Sequence, residues 1–318
     1  MQLIVKPTGR CNFNCTFCSA GLLKIKHSEK VPEELKKVLN TIQPENIIFT
    51  GGDPLCVNPT YYEEILNLGN WTISLTTNLK DFYLNPNKWL HIFTNPRVDV
   101  CTSFQFGEER KWDKNTVYTL SMFKKVVSLF KEKIGYIPPF IALVNNENEN
   151  QAIDHILLAK ELGTKCKLNP TLPLGKAKDF YPLYKMIDIW LKIKELNLED
   201  YQDVEIPFYN GGCGTNTSLL CDTTIRSFWI DSEGKIIYSK CEDCAVNKYY
   251  IPIDKEKVIP KQTPLNILTN INKNCAYCEL CNLCNGCNSI KKMNEMTKNH
   301  CQEMLKRKDK ILAAKWKL

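Results

Sequence analysis

The sequence predicts an α/β protein in which about six strand–helix units form a parallel sheet, followed by a smaller, cysteine-rich part. Over the first two-thirds of the chain, short apolar runs alternate with amphipathic stretches, as in parallel βα units. After about residue 205 this alternation stops and cysteines become dense. A chain of 318 residues with 43% hydrophobic content is long enough for a full α/β core and a small appendage. We therefore expect two parts, residues 1–205 and 206–318.

Six apolar segments are the candidate strands of the sheet. Most are bounded by polar or turn-forming residues, and the first amphipathic segment begins with a proline, as helices often do. The candidate strands are 3–6, 46–50, 73–77, 98–104, 140–144 and 165–168. The candidate helices are 32–42, 61–68, 118–130, 152–162 and 184–196.

The second part contains one clear regular element, a hairpin. Residues 227–231 turn through Ser232-Glu233-Gly234 into residues 235–238. A loop-rich part this short cannot bury enough apolar surface to fold alone, so we expect metal clusters to hold it together. The chain ends in a helix-like segment, roughly 291–315.

Cysteine usage indicates metal ligation in a reducing compartment. The chain has 16 cysteines and four histidines, and many cysteines cluster at short, regular spacings. Sites built from thiolates favour iron–sulfur clusters or zinc. No apolar run is long enough to span a bilayer, and the first strand begins too early for a signal peptide. We therefore expect a cytoplasmic protein with no membrane partner.

The net charge of +7 is concentrated at the C-terminus. Residues 291–318 include nine basic and three acidic side chains, which accounts for nearly all of the excess. A solvated helix face explains this charge. A docking surface for an acidic leader peptide or a nucleic acid is the alternative.

A cysteine loop follows the first candidate strand, with Cys11, Cys15 and Cys18 in a C-x3-C-x2-C spacing. Such a loop can place three thiolates on three corners of one cubane iron–sulfur cluster, which leaves the fourth iron without a protein ligand. An open metal position is typical of catalytic rather than structural sites. A structural zinc knuckle or three buried thiols are the alternatives.

A glycine pair stands where the second candidate strand ends, in Phe49-Thr50-Gly51-Gly52-Asp53-Pro54. Glycines let a backbone approach a ligand closely, and ligands of α/β folds gather at the carboxyl ends of the strands. Together with the cysteine loop, this stretch resembles the radical S-adenosylmethionine (radical SAM) superfamily. There, a Gly-Gly-Glu-Pro motif binds the methionine amine of SAM. Here, aspartate replaces the glutamate.

The resemblance implies a partial (β/α)6 barrel in which SAM binds the open iron of a [4Fe-4S] cluster. It also implies further contacts to SAM. Phe17 would flank the adenine, and Ser103, at the end of the fourth strand, would meet the ribose. Thr77 and Asn145, at the ends of the third and fifth strands, are further candidates. Plain packing or ordinary strand-end polarity is the alternative for each residue.

The C-terminal cysteines resemble the SPASM domain, an extension of radical SAM enzymes that mature peptides and proteins. By that family's arrangement, one auxiliary [4Fe-4S] cluster would be held by Cys213, Cys221, Cys241 and Cys287, and a second by Cys275, Cys278, Cys284 and Cys301. Two spacings differ from those of the family. Two residues separate Cys284 from Cys287 where the family has three, and Cys241 lies two residues further after the hairpin glycine than usual. Cys244 and Cys281 belong to neither cluster in this assignment. Two zinc sites of four thiolates are the alternative.

Several single residues have weaker indications. The run 170–177 resembles a Pro-x-Gly-Arg-Ala stretch of SPASM proteins, with Lys176 in place of the arginine; an ordinary loop is the alternative. Cys56, Cys101 and Cys166 lie in or beside candidate strands, where buried packing is expected and hydrogen-atom donation to a substrate radical is the alternative.

The resemblance implies an enzyme that cleaves SAM to a 5′-deoxyadenosyl radical and modifies a ribosomally made peptide or protein. A flavodoxin or ferredoxin would supply the electron, and an auxiliary cluster would accept a second electron or bind the substrate. Glu242, directly after Cys241, stands where sulfatase-maturing members carry an acidic proton acceptor; a solvated loop acid is the alternative. Because the cysteine loop begins at Cys11, we expect a separate leader-binding protein, or substrate binding by the barrel mouth and basic tail.

Two other functions remain open from the sequence. The basic C-terminus would suit a radical SAM enzyme that acts on RNA or a nucleotide-derived small molecule, although basic residues interleaved with aromatics are absent apart from Trp316. A non-catalytic iron–sulfur or zinc scaffold is the third hypothesis. The open-site cysteine loop and the glycine pair argue against that scaffold.

Overall fold

An eight-stranded sheet forms the framework of the structure, a computed structural model that describes residues 2–18, 20, 24–171, 176–177, 181–202, 227–239, 280 and 299–314. Six strands cross it in chain order, each parallel to the next. They are β1 Gln2–Thr8, β2 Asn46–Gly51, β3 Thr72–Thr76, β4 Val98–Ser103, β5 Phe140–Val144 and β6 Cys166–Pro170. The predicted α/β class with a parallel sheet is confirmed.

Helices fill the crossovers between the strands. They are α1 Glu33–Ile42, α2 Pro59–Leu68, α3 Lys80–Leu84, α4 Pro86–Phe93, α5 Leu120–Ile134, α6 Ala152–Leu162 and α7 Leu183–Glu195. The sequence did not predict α3 and α4. Each is short, and the chain leaves helical geometry at Asn85 between them (φ −139°, ψ 63°), so neither shows a sustained helical period.

One side of the sheet is more deeply buried than the other. In β1, Leu3 and Val5 are almost fully buried, whereas Ile4 between them is only partly so. In β4, Val98 and Val100 are buried and Cys101 is partly exposed. Because side chains alternate along a strand, the first set joins the apolar residues of the helices in one core. The second set lines the more open side of the sheet.

The predicted hairpin is present, and it extends the same sheet. Strand β7, Ser227–Ile230, pairs parallel with β1, and β8, Ile236–Ser239, pairs antiparallel with β7. Phe228 and Trp229 of β7 are buried. The sequence assigned this hairpin to the second part of the chain and gave no sign that it would pair with the first strand. Strand β1 therefore lies inside the sheet, between β2 and β7.

The C-terminal helical segment packs on α7. Within the described residues it forms α8 His300–Lys306 and α9 Lys308–Ala313, which are separated at Arg307. Nε and Nη2 of Arg307 donate to the two carboxylate oxygens of Asp188 on α7, at 2.8 and 2.7 Å. Its guanidinium also lies 4.9 Å from the centre of the Tyr184 ring. In the part of the chain that the structure describes, no helix has the length and apolar character needed to cross a membrane.

We predict that Phe228→Ala destabilises the sheet, because Phe228 is only 2% exposed and belongs to the main core. The lost burial and the cavity should lower the free energy of unfolding by about 3–5 kcal/mol, measured by urea denaturation. Leu84→Ala, at a side chain that is 60% exposed, is the control and should change it by less than about 0.5 kcal/mol. Equal midpoints for the two variants would show that the hairpin does not stabilise this core.

Candidate functional site

The cysteine loop, residues 9–18, leaves β1 at the edge of the sheet where the parallel strands end. The end of β1 and the start of the loop are hydrogen-bonded to the two residues that follow β2. The backbone N–H of Gly52 donates to the carbonyl oxygen of Thr8 at 2.8 Å, and the N–H of Asp53 donates to the carbonyl oxygen of Arg10 at 2.8 Å. The cysteine loop and the glycine pair that the sequence singled out therefore lie side by side.

The glycine pair is required by this contact within the chain. A Cβ at Gly52 would lie 2.0 Å from the carbonyl oxygen of Arg10, and one at Gly51 would lie 2.8 Å from that of Thr8. Gly51 also has a φ of +121°, a conformation that L side chains rarely adopt. The sequence indicated glycines that admit a ligand. The structure shows glycines that admit the backbone of the cysteine loop.

The Asp53 carboxylate is buried and faces β3. Its Oδ1 accepts hydrogen bonds from the Leu55 N–H and the Thr77 hydroxyl, both at 2.9 Å, and its Oδ2 accepts from the Asn78 N–H at 2.7 Å. Burial raises the pKa of Asp53 to about 6, although these donors act in the opposite direction. Asp53 and Thr77 therefore join the ends of β2 and β3 to each other.

The connection between β4 and α5 holds the outer part of the cysteine loop, and we call its residues 105–118 the clasp. The Asn14 N–H donates to the Lys111 carbonyl oxygen and the Thr16 N–H to that of Glu109, both at 3.0 Å. The Phe13 ring packs against a clasp aromatic, with its centre 4.9 Å from that of Tyr118. Sequence reasoning missed the clasp, because its bonds to the loop are mainly backbone to backbone and carry no residue signature.

Arg110 of the clasp brings two predicted SAM-binding residues together. Its Nη1 donates to the Ser103 hydroxyl at 2.9 Å, and its guanidinium lies 5.1 Å from the centre of the Phe17 ring. Arg110 is buried, and no described residue accepts a hydrogen bond from its Nε. Sequence reasoning missed this residue. Arginine is rare in this chain, at only five of the 42 basic residues, and this rarity could have drawn attention to Arg110.

Asn145, which directly follows β5, also contacts the clasp. Its Nδ2 donates to Glu109 Oε2 at 2.5 Å, and the same oxygen accepts from Gln105 at 3.0 Å. His155 of α6 fixes the clasp backbone, because its Nε2 accepts from the Phe106 N–H at 3.0 Å. Burial lowers the pKa of His155 to about 4, so this nitrogen stays an acceptor at neutral pH.

Lys176 contacts the cysteine loop near its end. Its backbone N–H donates to the Cys18 carbonyl oxygen, and its Nζ donates to Asn14 Oδ1, both at 2.9 Å. In the sequence, this lysine shows only a weak resemblance to an arginine of SPASM proteins. The structure places it directly against the predicted cluster ligands.

The three loop thiols differ in their surroundings. Cys11 Sγ accepts from the Phe13 N–H at 3.4 Å and from Asn78 Nδ2 at 3.6 Å, and burial raises its pKa to about 12. Such a thiol ionises when a metal takes the place of its proton, and N–H groups aimed at the sulfur suit a thiolate. Cys15 is buried and Cys18 is half-buried.

Three thiols of one loop are the donor type that a cubane cluster takes. Among the described residues, no three His, Cys, Asp or Glu side chains converge closely enough to bind one metal ion. A cubane makes no such demand, because its three thiolates bind three different irons. The chemistry of the donor set is therefore compatible with a cluster of this type, and the ligand assignment stays a prediction.

Cys56, just after β2, borders the site, because its Sγ accepts a hydrogen bond from the Asn12 backbone N–H, and burial raises its pKa to about 12. The other predicted residues lie apart from this site or outside the described residues. Cys56 and Cys101 are half-buried and Cys166 is buried in β6. Cys301 is exposed in α8. The residues outside the described part are Cys213, Cys221, Cys241, Glu242, Cys275, Cys278, Cys284 and Cys287.

Comparisons with known proteins agree with this geometry. A family model described as the radical SAM superfamily matches residues 5–170. Among solved structures, the chain resembles hexahistidine-tagged anSMEcpe with bound AdoMet, with a TM-score of 0.66 and 18% sequence identity over 98% of this chain and 96% of that one. Likeness at this identity shows a shared fold. None of the curated proteins matches the sequence.

We predict that Gly52→Ala displaces the cysteine loop, because its Cβ would overlap the Arg10 carbonyl oxygen. Overpacking of this kind costs about 1–3 kcal/mol or more, and anaerobically prepared protein should retain less iron. Gly163→Ala is the control, with a φ of +67° but nothing within 4 Å of the new Cβ. If both variants retain wild-type iron, the close approach is not what positions the loop.

Proposed function

The chain belongs to the radical SAM superfamily, and we propose that Cys11, Cys15 and Cys18 hold its [4Fe-4S] cluster while SAM binds at the carboxyl ends of β2 to β5. The observation that carries this proposal is the backbone contact between the cysteine loop and the glycine pair. When bound, the cluster and SAM supply a 5′-deoxyadenosyl radical that abstracts hydrogen from an unactivated carbon.

Residues of the clasp and strand ends are suited to hold SAM. The buried guanidinium of Arg110 is a complement for the SAM carboxylate, and its Nε is available for such a bond. Arg110 contacts Phe17 and Ser103. These two residues, together with Asn145, would then face the rest of the SAM molecule. Asp53 would act indirectly, since its carboxylate is engaged by Thr77 and the β3 turn.

We propose a peptide or protein as the substrate. The C-terminal cysteine spacing supports this, as does likeness in fold to anSMEcpe, an anaerobic sulfatase-maturating enzyme. One or two auxiliary [4Fe-4S] clusters, a flavodoxin or ferredoxin as reductant, and Glu242 as proton acceptor complete the proposal. A separate leader-binding protein would present the peptide, or the barrel mouth and basic tail would.

An RNA substrate is supported less well. The basic C-terminus is the feature that suggested it, but two of its charges are already paired. Arg307 bonds both Asp188 and Glu303, and Lys306 also pairs with Glu303. These bonds lower the charge that the described part of the terminus can offer to phosphates.

We predict that Cys11→Ala, Cys15→Ala and Cys18→Ala each abolish formation of 5′-deoxyadenosine and lower the iron content by about one cubane. Cys101→Ser should retain both, because this thiol lies outside the loop. Chromatography of reduced reaction mixtures and iron assays of anaerobic protein provide the measurements. SAM cleavage at wild-type rate in any of the three loop variants would remove the central proposal.

We predict a mass change in a short peptide encoded beside this gene when the two are co-expressed, with none when the enzyme carries Cys15→Ala. Mass spectrometry of the peptide checks this. RNA binding that weakens steeply with salt, together with unmodified peptides, would favour the RNA hypothesis instead.

A further inference from the structure

The turn after β3 reaches across to the cysteine loop. Asn78 Nδ2 donates to Asn12 Oδ1 at 2.8 Å, and Lys80 Nζ donates to the Asn12 carbonyl oxygen at 3.1 Å. Asn12 stands between the first two cysteines, so both bonds act on the same segment. Leu79, between the two donors, is buried with a φ of +62°, which L residues other than Asn and Asp rarely adopt. The turn keeps this strained conformation while its side chains hold the loop.

Lys80 joins the loop to the clasp. Its Nζ also donates to the Trp112 carbonyl oxygen at 2.5 Å and lies 4.7 Å from the centre of the Trp112 ring. The Phe13 ring of the cysteine loop is 5.9 Å away. One ammonium group thus connects three segments that are far apart in sequence: the loop, the clasp and the start of α3.

The bonded partners of this ammonium are neutral. Among the described residues, Lys80 forms hydrogen bonds to carbonyl oxygens and contacts aromatic faces, and no ion pair there includes it. Bonds from a charged donor are stronger than neutral ones, and aromatic faces add to them. The Asp113 carboxylate of the clasp lies near enough to interact with this charge but forms no ion pair with it. The same charge is held against the cysteine loop by the bond to the Asn12 carbonyl oxygen.

We propose that Lys80 is a positioning residue that holds the cysteine loop in its cluster-binding conformation and, through its charge, favours the reduced state of the bound cluster. A nearby cation stabilises the more negative, reduced state of an iron–sulfur cluster. This inference rests on the proposed function, because it requires the cluster to lie on Cys11, Cys15 and Cys18.

Three variants of the full-length protein test the proposal. Lys80→Met keeps a long apolar side chain and removes the charge and its donors, whereas Lys80→Arg keeps both. Lys88→Met is the matched control, since Lys88 Nζ lies 5.1 Å from the Trp89 ring centre and pairs with Asp81 at 2.7 Å. None of the described contacts of Lys88 reaches the cysteine loop.

We expect Lys80→Met to raise amide hydrogen exchange of residues 12–16 at least tenfold and to shift the midpoint potential of the loop cluster to a more negative value. In Lys80→Arg, the exchange rate and the midpoint potential should stay close to those of the wild type. Lys88→Met should change neither quantity. Electron paramagnetic resonance during redox titration gives the potential. The spectrum of a Cys11, Cys15 and Cys18 triple alanine variant allows the signals of other clusters to be subtracted.

Wild-type exchange and potential in Lys80→Met would overturn the proposal, as would equal losses in Lys80→Met and Lys88→Met. If Lys80→Met does not fold, Lys80→Gln takes its place, because the glutamine amide can donate hydrogen bonds but carries no charge. This variant should show a smaller rise in amide exchange and the same negative shift in midpoint potential. No change in Lys80→Gln would also overturn it. Full iron retention in the triple alanine variant would instead refute the proposed function, so the two failures are distinguishable.

Discussion

The structure of the site depends on one close backbone contact, between Arg10 of the cysteine loop and Gly52 after β2. Strands β1 and β2 are parallel neighbours, and their register shifts between Val5 and Thr8, so the two chain ends emerge side by side. There is room for the loop only because Gly52 has no Cβ. The position of the first cysteine is therefore set by sheet geometry rather than by side-chain packing. In a cluster bound by the three loop cysteines, as proposed, this contact would position the first ligand.

The rest of the cysteine loop cannot hold itself, because it is short and contains no regular element. It is ordered by partners from the ends of three other strands: the turn after β3, the clasp after β4 and Lys176 after β6. These partners are between about 65 and 160 residues away in sequence. The loop therefore keeps this conformation only while the ends of these strands are in place. Such long-range pairing is slow to form but precise once formed.

Local patterns predicted the strands, the cysteine loop and the glycine pair, because each is recorded in consecutive residues. They could not predict the role of Asp53, since the sequence does not show that its carboxylate turns to β3 instead of towards a ligand. Nor could they predict Lys80 or Arg110, whose importance comes from carbonyl oxygens and rings that tertiary structure brings to them. The C-terminal cysteine ligands remain predictions, because they lie outside the described residues apart from Cys301.

The hairpin joins residues 227–239 to the first strand of the sheet. Its strand β7 covers the side of β1 that faces away from β2, and Lys6 of β1 lies 4.6 Å from the Trp229 ring centre. The segment that follows the cysteine loop is held there too, since the Lys26 N–H donates to the Ile230 carbonyl oxygen at 2.7 Å. A Cβ at Gly9 would lie 2.8 Å from the carbonyl oxygen of Ile25, so this segment also packs closely against the start of the loop. Because the hairpin supports both flanks of the cysteine loop, unfolding of the hairpin would also disturb the proposed cluster site.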